Sequence, residues 1–279
     1  KYVTMVQVRE VIYKMVRIFD THAHYDDEAF DKDCEELLKS FPEHNVMAVT
    51  NIGTNIDTSR ITAQLTEQYD YVYGAVGMYP TEVYAFETSD AMEQLRSLVT
   101  EHERVVAIGE IGLDYHYDNI DKALQQKWFE AQMNLARELN VPIVVHSRDA
   151  AQDTIAVMRQ AKAGEIGGVV HCYSYTKETA REFLDMDFYF GIGGVVTFKN
   201  AKKLVEAVAY IPMERMVLET DSPYLSPIRS ERNTSLNLPL VAAKIAEIKG
   251  ISVQEVYDIT WENAHKLYKI KERTQETGR

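Results

Sequence analysis

Cysteine is scarce. Cys34 and Cys172 are the only two in 279 residues. They stand far apart and in no metal-binding spacing, which argues against a disulfide scaffold or a cysteine-held metal and for free thiols in a reducing cytoplasm. Long apolar runs are missing as well. None approaches the roughly 20 residues that a membrane helix needs, so no membrane association is expected. The opening KYVTMVQVREVIYKM carries Lys1, Arg9, Glu10 and Lys14 too closely spaced for a signal-peptide core. It reads as an N-terminal extension, residues 1–16, with Met15 as an alternative start, and residues 271–279 read as a polar tail. Basic residues are outnumbered, 30 against 43 acidic ones, for a net charge of −13. That balance argues against an extended phosphate-binding surface, but not against a nuclease that grips a few nucleotides with help from bound cations. Linkers, low-complexity tracts and a glycine-rich loop after the first apolar run are all absent.

What remains is a regular alternation. Eight short β-branched runs stand at 15–19, 46–52, 71–77, 104–110, 141–146, 167–171, 188–194 and 215–221. Between them lie segments with helical spacing, among them 31–41, 89–100, 121–139, 177–184, 201–210, 236–249 and 253–267. Continuously apolar strands separated by helices are expected of a parallel sheet buried on both faces. Eight such units predict an α/β fold of the closed (β/α)8 TIM-barrel type over residues 17–270, as one domain. An open doubly wound sheet would place a glycine-rich phosphate loop after its first strand. Here DTHAHYDD follows instead.

The ends of the runs carry the chemistry. His22 and His24 follow the first, Glu110 closes the fourth, His146 the fifth, His171 the sixth and Asp221 the eighth. Parallel barrel strands deliver their C-terminal ends to one mouth, so these six residues are expected to meet there as metal ligands. Each alone has a plainer reading: a hydrogen-bonded structural histidine, or an acid capping the next helix. The joint pattern favours metal. Cys172 should point away from the side that His171 faces, leaving an N/O donor set suited to zinc or manganese, with magnesium possible on the carboxylate-rich half. Six ligands exceed what one catalytic ion with an open position uses, so two divalent ions sharing a carboxylate are expected.

FDTHAH, GEIGLDYHYD, VPIVVHSRDA, VVHCYS and ETDSPYLSP resemble, in order and spacing, the TatD-like metal-dependent hydrolases, deoxyribonucleases of the amidohydrolase-type barrels. The resemblance runs from about Arg17 to about Ile270. It implies that His22, His24, Glu110 and Asp221 hold one ion and that Glu110, His146 and His171 hold the second. Glu110 would be the bridge and Asp221 the group that orients or deprotonates water, which makes these two the catalytic pair. It also implies hydrolysis of DNA phosphodiesters, often from 3′ ends, on damaged or fragmented DNA. Lys122, the nearest lysine downstream of Glu110, falls in a predicted helix, which disfavours a bridging carboxylated lysine. Three departures from the family pattern stand in loops expected to line the mouth: Tyr79 where histidine is usual, Tyr175 where glycine is common, and Thr234–Ser235 in place of Glu-Pro.

Arg148, two residues beyond His146, is a candidate phosphate ligand. His116 and Tyr115 are further candidate substrate contacts. Of Tyr79, Tyr84, Tyr115, Tyr117, Tyr173 and Tyr175, one or two are expected to reach the mouth and stack bases of single-stranded ends. The expected partner is therefore a DNA end or short single strand, with no stable protein partner and a monomeric state. Two other functions fit the same residues: an amidohydrolase or deacylase acting on a small molecule or an aminoacyl ester, and a metal-stabilised binding module without turnover.

Overall fold

The computed structural model describes residues 16–85 and 88–271. The expected extension and tail lie outside these residues, save Val16 and Lys271. Eight parallel strands follow one another around a barrel: β1 (Ile18–Ala23), β2 (Val46–Ile52), β3 (Val72–Val76), β4 (Val105–Asp114), β5 (Ile143–Arg148), β6 (Gly168–Val170), β7 (Tyr189–Ile192) and β8 (Met216–Leu218). Helices α1 (Cys34–Ser40), α2 (Ile56–Gln68), α3 (Thr88–Glu101), α4 (Lys122–Leu139), α5 (Ala151–Gln160), α6 (Lys177–Leu184), α7 (Lys202–Tyr210), α8 (Leu238–Lys249) and α9 (Val253–Leu267) connect and cover them. No described helix is long and apolar enough to cross a membrane.

The last strand returns to the first through backbone hydrogen bonds just beyond its own end. Asp221 N–H donates to the His22 carbonyl at 2.9 Å, and His24 N–H donates to the Ser222 carbonyl at 2.8 Å. The seam of the barrel therefore runs through candidate ligands. Two strands are longer than the apolar runs implied. β1 extends to Ala23, so His22 lies within it, and β4 extends past Glu110 to Asp114. An apolar pattern stops at the first acid. The strand does not, because the barrel mouth supplies each buried acid with a partner.

Two apolar layers hold the barrel. Between strands and helices lie Trp128, Phe129, Phe183 and Phe190. Inside the barrel, Phe19, Ala48, Ala75, Ala107, Val144, Val169 and Val217 form a second cluster, and α9 contributes Trp261 and Leu267 to it. The Phe19 ring lies 5.8 Å from Tyr73 and 6.0 Å from Trp261. The Asn263 amide donates to the carbonyls of Met213 and Met216, which pins α9 to the start of β8. This plug closes the N-terminal end and leaves the opposite mouth for chemistry. Phe19→Ala should therefore cost about 3–5 kcal/mol, because the rigid rings of Tyr73, Trp261, His265 and Tyr268 around it cannot refill the space. Tyr210→Ala, at a side chain 47% exposed, should change stability by no more than about 0.5 kcal/mol. Urea unfolding of both variants reads the difference, and equal midpoints would remove the plug from the account.

Candidate metal centre

Two irregularities in strand register bracket donors. β1 slips against β2 between Asp20 and Ala23, and β4 slips against β5 between Ile108 and Ile111. Such breaks re-aim the side chains they enclose, here His22 and Glu110. Gly112 permits the close approach of β4 to β5: it has φ of 144°, and a Cβ there would lie 1.9 Å from the His146 carbonyl oxygen.

All six expected ligands come together at the mouth. His22 Nε2 and His24 Nε2 stand 3.2 Å apart. Asp221 Oδ1 lies 3.6 Å from the first and 3.4 Å from the second. Glu110 faces both halves of the cluster. Its Oε2 is 3.5 Å from His22 Nε2 and 3.8 Å from His24 Nε2. Its Oε1 is 2.8 Å from His146 Nδ1 and 2.7 Å from His171 Nε2. The rings of His22 and His171 stack at 3.9 Å and join the halves. Two groups of donor atoms close enough for a cation emerge, His22–His24–Asp221 and His22–Glu110–His171. His22 thus belongs to both, whereas the resemblance assigned it to one.

Electrostatics keeps the acids ionised. Burial pushes the Glu110 carboxyl up, but His171, His146 and His22 outweigh it and hold it well below the usual range. Asp221 is likewise pushed up by burial and brought below its ordinary value by His24, His171 and His22. Burial would pull His24 and His171 down. Asp221 and Glu110 reverse this, lifting His24 to about 9 and His171 to about 10. His22, pulled down by burial and by His171, falls to about 4.

The residues fit a divalent cation. His24 Nδ1 is 2.9 Å from the Ile52 carbonyl oxygen. A carbonyl only accepts, so Nδ1 carries a proton and Nε2 is the nitrogen turned to the cluster. His146 Nε2 is 3.2 Å from Asp114 Oδ2. Although burial pushes Asp114 up, His146 and further donors bring it to about 2, so it too only accepts and leaves His146 Nδ1 facing Glu110. Carboxylate oxygens and imidazole nitrogens converging in a buried pocket are the donor chemistry of zinc, manganese or magnesium sites.

Three acids behind the ligands had no role in the sequence analysis. Asp20 is fully buried and accepts from the N–H groups of His22 and Thr220 and from the hydroxyls of Thr220 and Ser235. Asp114 accepts from the Tyr79 hydroxyl at 2.8 Å as well as from His146. Glu219 lies 3.9 Å from His171 Nδ1, accepts from the Cys172 N–H, and is pushed up by burial to about 8. One signal was available for each: an acid at the edge of an apolar run has to find a partner.

Above the cluster opens a cavity of about 750 Å3. Arg148, Tyr79 and Tyr117 line it, while Tyr115 and His116 are not among its lining residues. The Tyr115 hydroxyl donates to Asp153, and the exposed His116 pairs with Asp149. Of the three departures from the family pattern, Tyr79 alone lines the cavity. Tyr175 bonds Ser147 behind it, and buried Ser235 bonds Asp20 in the barrel seam. Cys172 corrects an expectation. β6 ends at Val170, Cys172 adopts φ of 44°, and it lines the same cavity as His171. Burial, together with Asp221, Glu219 and Glu110, pushes its thiol well above the ordinary value, so it stays in the protonated form that is a poor ligand.

Residues 19–269 match the model of the TatD related DNase family. The chain is 40% identical over 255 residues to the metal-dependent hydrolase YabD of Bacillus subtilis, covering 91% of this chain and 99% of that one. It is 36% identical over 260 residues to the metal-dependent hydrolase YcfH of Escherichia coli K12, covering 91% and 96% respectively. The crystal structure of YJJV, a TatD homolog from Escherichia coli K12, superposes with a TM-score of 0.86 at 26% identity, covering 92% of this chain and 99% of that chain. A TatD family hydrolase from Entamoeba histolytica superposes at 0.83 with 20% identity, covering 91% and 99%, a likeness of fold. With its barrel and the donor cluster at its mouth, the chain belongs to the TatD related DNase family and is a metal-dependent hydrolase.

Proposed function

We propose that the protein is a phosphodiesterase acting on DNA ends, releasing nucleotides from 3′ termini, with two divalent ions. His22, His24, Asp221 and Glu110 would hold one ion, and Glu110, His146 and His171 the other. When bound, the pair supplies Lewis-acid charge to the phosphate and lowers the pKa of water. The chain's own residues do the rest. Asp221, kept ionised by the histidines beside it, accepts the proton of the attacking water. Arg148, at the cavity wall, offers two N–H groups to a phosphate. Glu110 holds the two histidine pairs in register. The observation that carries the reading is this split carboxylate, one oxygen turned to each pair. We further propose a cytoplasmic, monomeric enzyme without a stable protein partner, in keeping with its two unpaired thiols and with no described helix long and apolar enough to cross a membrane.

A second reading has one specific support. Asp26, Asp27 and Glu82 line the cavity against a single arginine, a balance that also suits a cationic small molecule such as an aminoacyl ester. A turnover panel of 3′-tailed DNA, RNA and small esters separates the two: ester cleavage with no DNA cleavage at any salt concentration would select the second.

A chelator should abolish turnover, and added zinc or manganese should restore it. Asp221→Asn should lower kcat by about 10²–10⁴-fold, the contribution typical of a general base. A variant with full turnover would remove Asp221 from the role. Metal uptake should also depend on pH. His24 and His171 titrate near 9 and 10 in the metal-free protein and carry protons at neutrality. A cation must displace those protons, so apparent affinity should rise with pH, by about tenfold per pH unit for each proton released. Calorimetric titrations in buffers of different ionisation enthalpy count the protons. Uptake without proton release would contradict this charge assignment.

A further inference from the structure

The cavity is poorly made for a polymer. Its volume, about 750 Å3, is that of a small-ligand pocket. Arg148 is the one lysine or arginine among its lining residues, against Asp26, Asp27 and Glu82 beyond the donor cluster. A long strand threading the mouth brings one phosphate per nucleotide, and each after the first meets carboxylates instead of cations.

Two tyrosines stand at the rim, open to solvent. Tyr117 is 54% exposed and Tyr224 is 53% exposed. Tyr117 follows β4, and the Arg148 guanidinium lies 5.8 Å from its ring centre. Tyr224 follows β8. Its ring lies 6.4 Å from that of His24, and its hydroxyl donates to Asp27 at 2.6 Å, which fixes the ring's place. In the eight-strand order, β4 and β5 lie across the barrel from β8 and β1. The two rings therefore flank the donor cluster from opposite sides, and each residue is more than half exposed.

We infer that the site is built for very short oligonucleotides: one phosphodiester over the donor cluster, one base on Tyr117 and one on Tyr224, with nothing gained from further nucleotides. This rests on the phosphodiesterase reading above. The step is hydrolysis. A water oxygen bonds to phosphorus, the ester P–O bond breaks, and the departing sugar oxygen takes up a proton. A dinucleotide yields two products, a nucleotide and a nucleoside or second nucleotide. Such substrates are what endonucleases and processive exonucleases leave behind, so the enzyme would act after reactions of that class.

Oligothymidylates of two, four, eight and sixteen nucleotides, with the zinc- or manganese-loaded protein, test this. The expected kcat/KM is level or falling from the shortest to the longest. Its logarithm should fall against log salt with a slope of about −0.7 to −1.4, the value for one or two phosphates of a single strand. Tyr117→Ala and Tyr224→Ala, both at exposed positions that leave the fold intact, should each raise KM for the dinucleotide by about 5–150-fold, the range for loss of one stacked base. The change should be carried by KM rather than kcat. A kcat/KM more than about tenfold higher for the sixteen-mer, or a slope steeper than about −3, would overturn the inference while leaving the phosphodiesterase reading intact. Unchanged KM in both tyrosine variants would also overturn it. Cleavage of no oligonucleotide at any length would end both.

Discussion

The mouth of this barrel depends on how a buried carboxylate is neutralised. Glu110 sits where water scarcely reaches, at 3% exposure, and an unpaired anion there would carry a prohibitive desolvation cost. It is kept ionised by imidazoles on both sides, each of its oxygens turned to a different pair. Two of the histidines, His24 and His171, are in turn kept in their charged forms by Asp221 and Glu110. Remove any member and the others lose the compensation that lets them stay buried. A cation placed among these groups would take over the same compensation, displacing the protons that the imidazoles carry.

A second tier of acids fixes the first. Asp20, Asp114 and Glu219 each lie behind or beside a ligand histidine and take hydrogen bonds from backbone or hydroxyl groups around it. Orientation of ligands by such partners is as much part of a metal site as the ligands themselves. Here two of these partners come from positions where the chain departs from its family's usual residues. Tyr79 donates to Asp114, and Ser235 to Asp20. A proline at 235 has neither the hydroxyl given to Asp20 nor the N–H given to Tyr25. This departure therefore touches the seam of the barrel rather than the substrate.

The sequence was most legible where one physical rule acts alone. Runs such as VMAVTNI and VPIVVH became β2 and β5 because a strand buried on both faces needs continuous apolar residues. The strand-end donors could be read because parallel strands converge. Less legible was anything decided by contact across the barrel. That β4 runs on to Asp114 depends on Tyr79 from the loop after β3 and on His146 within β5, which no local pattern contains. Cys172 turned inward because its backbone takes a positive φ after a three-residue strand, a conformation that alternation along a longer strand does not anticipate. Tyr115 and Tyr117 are two residues apart, yet one pairs with α5 and the other lines the cavity. Only the fold separates them.

The seam also sets when the two halves of the cluster can exist. Glu110, His146 and His171 come from neighbouring strands in the middle of the chain, and β4, β5 and β6 can pair as soon as they have been synthesised. His22 and His24 wait for Asp221, and the Asp20 carboxylate waits for Thr220, 200 residues downstream. On a ribosome that makes about 5–20 residues per second, the first strand would spend about ten to forty seconds before Thr220 and Asp221 exist to meet it. The site matures last at its oldest strand, and a nascent chain cut off before β8 would keep one half of the cluster without the other.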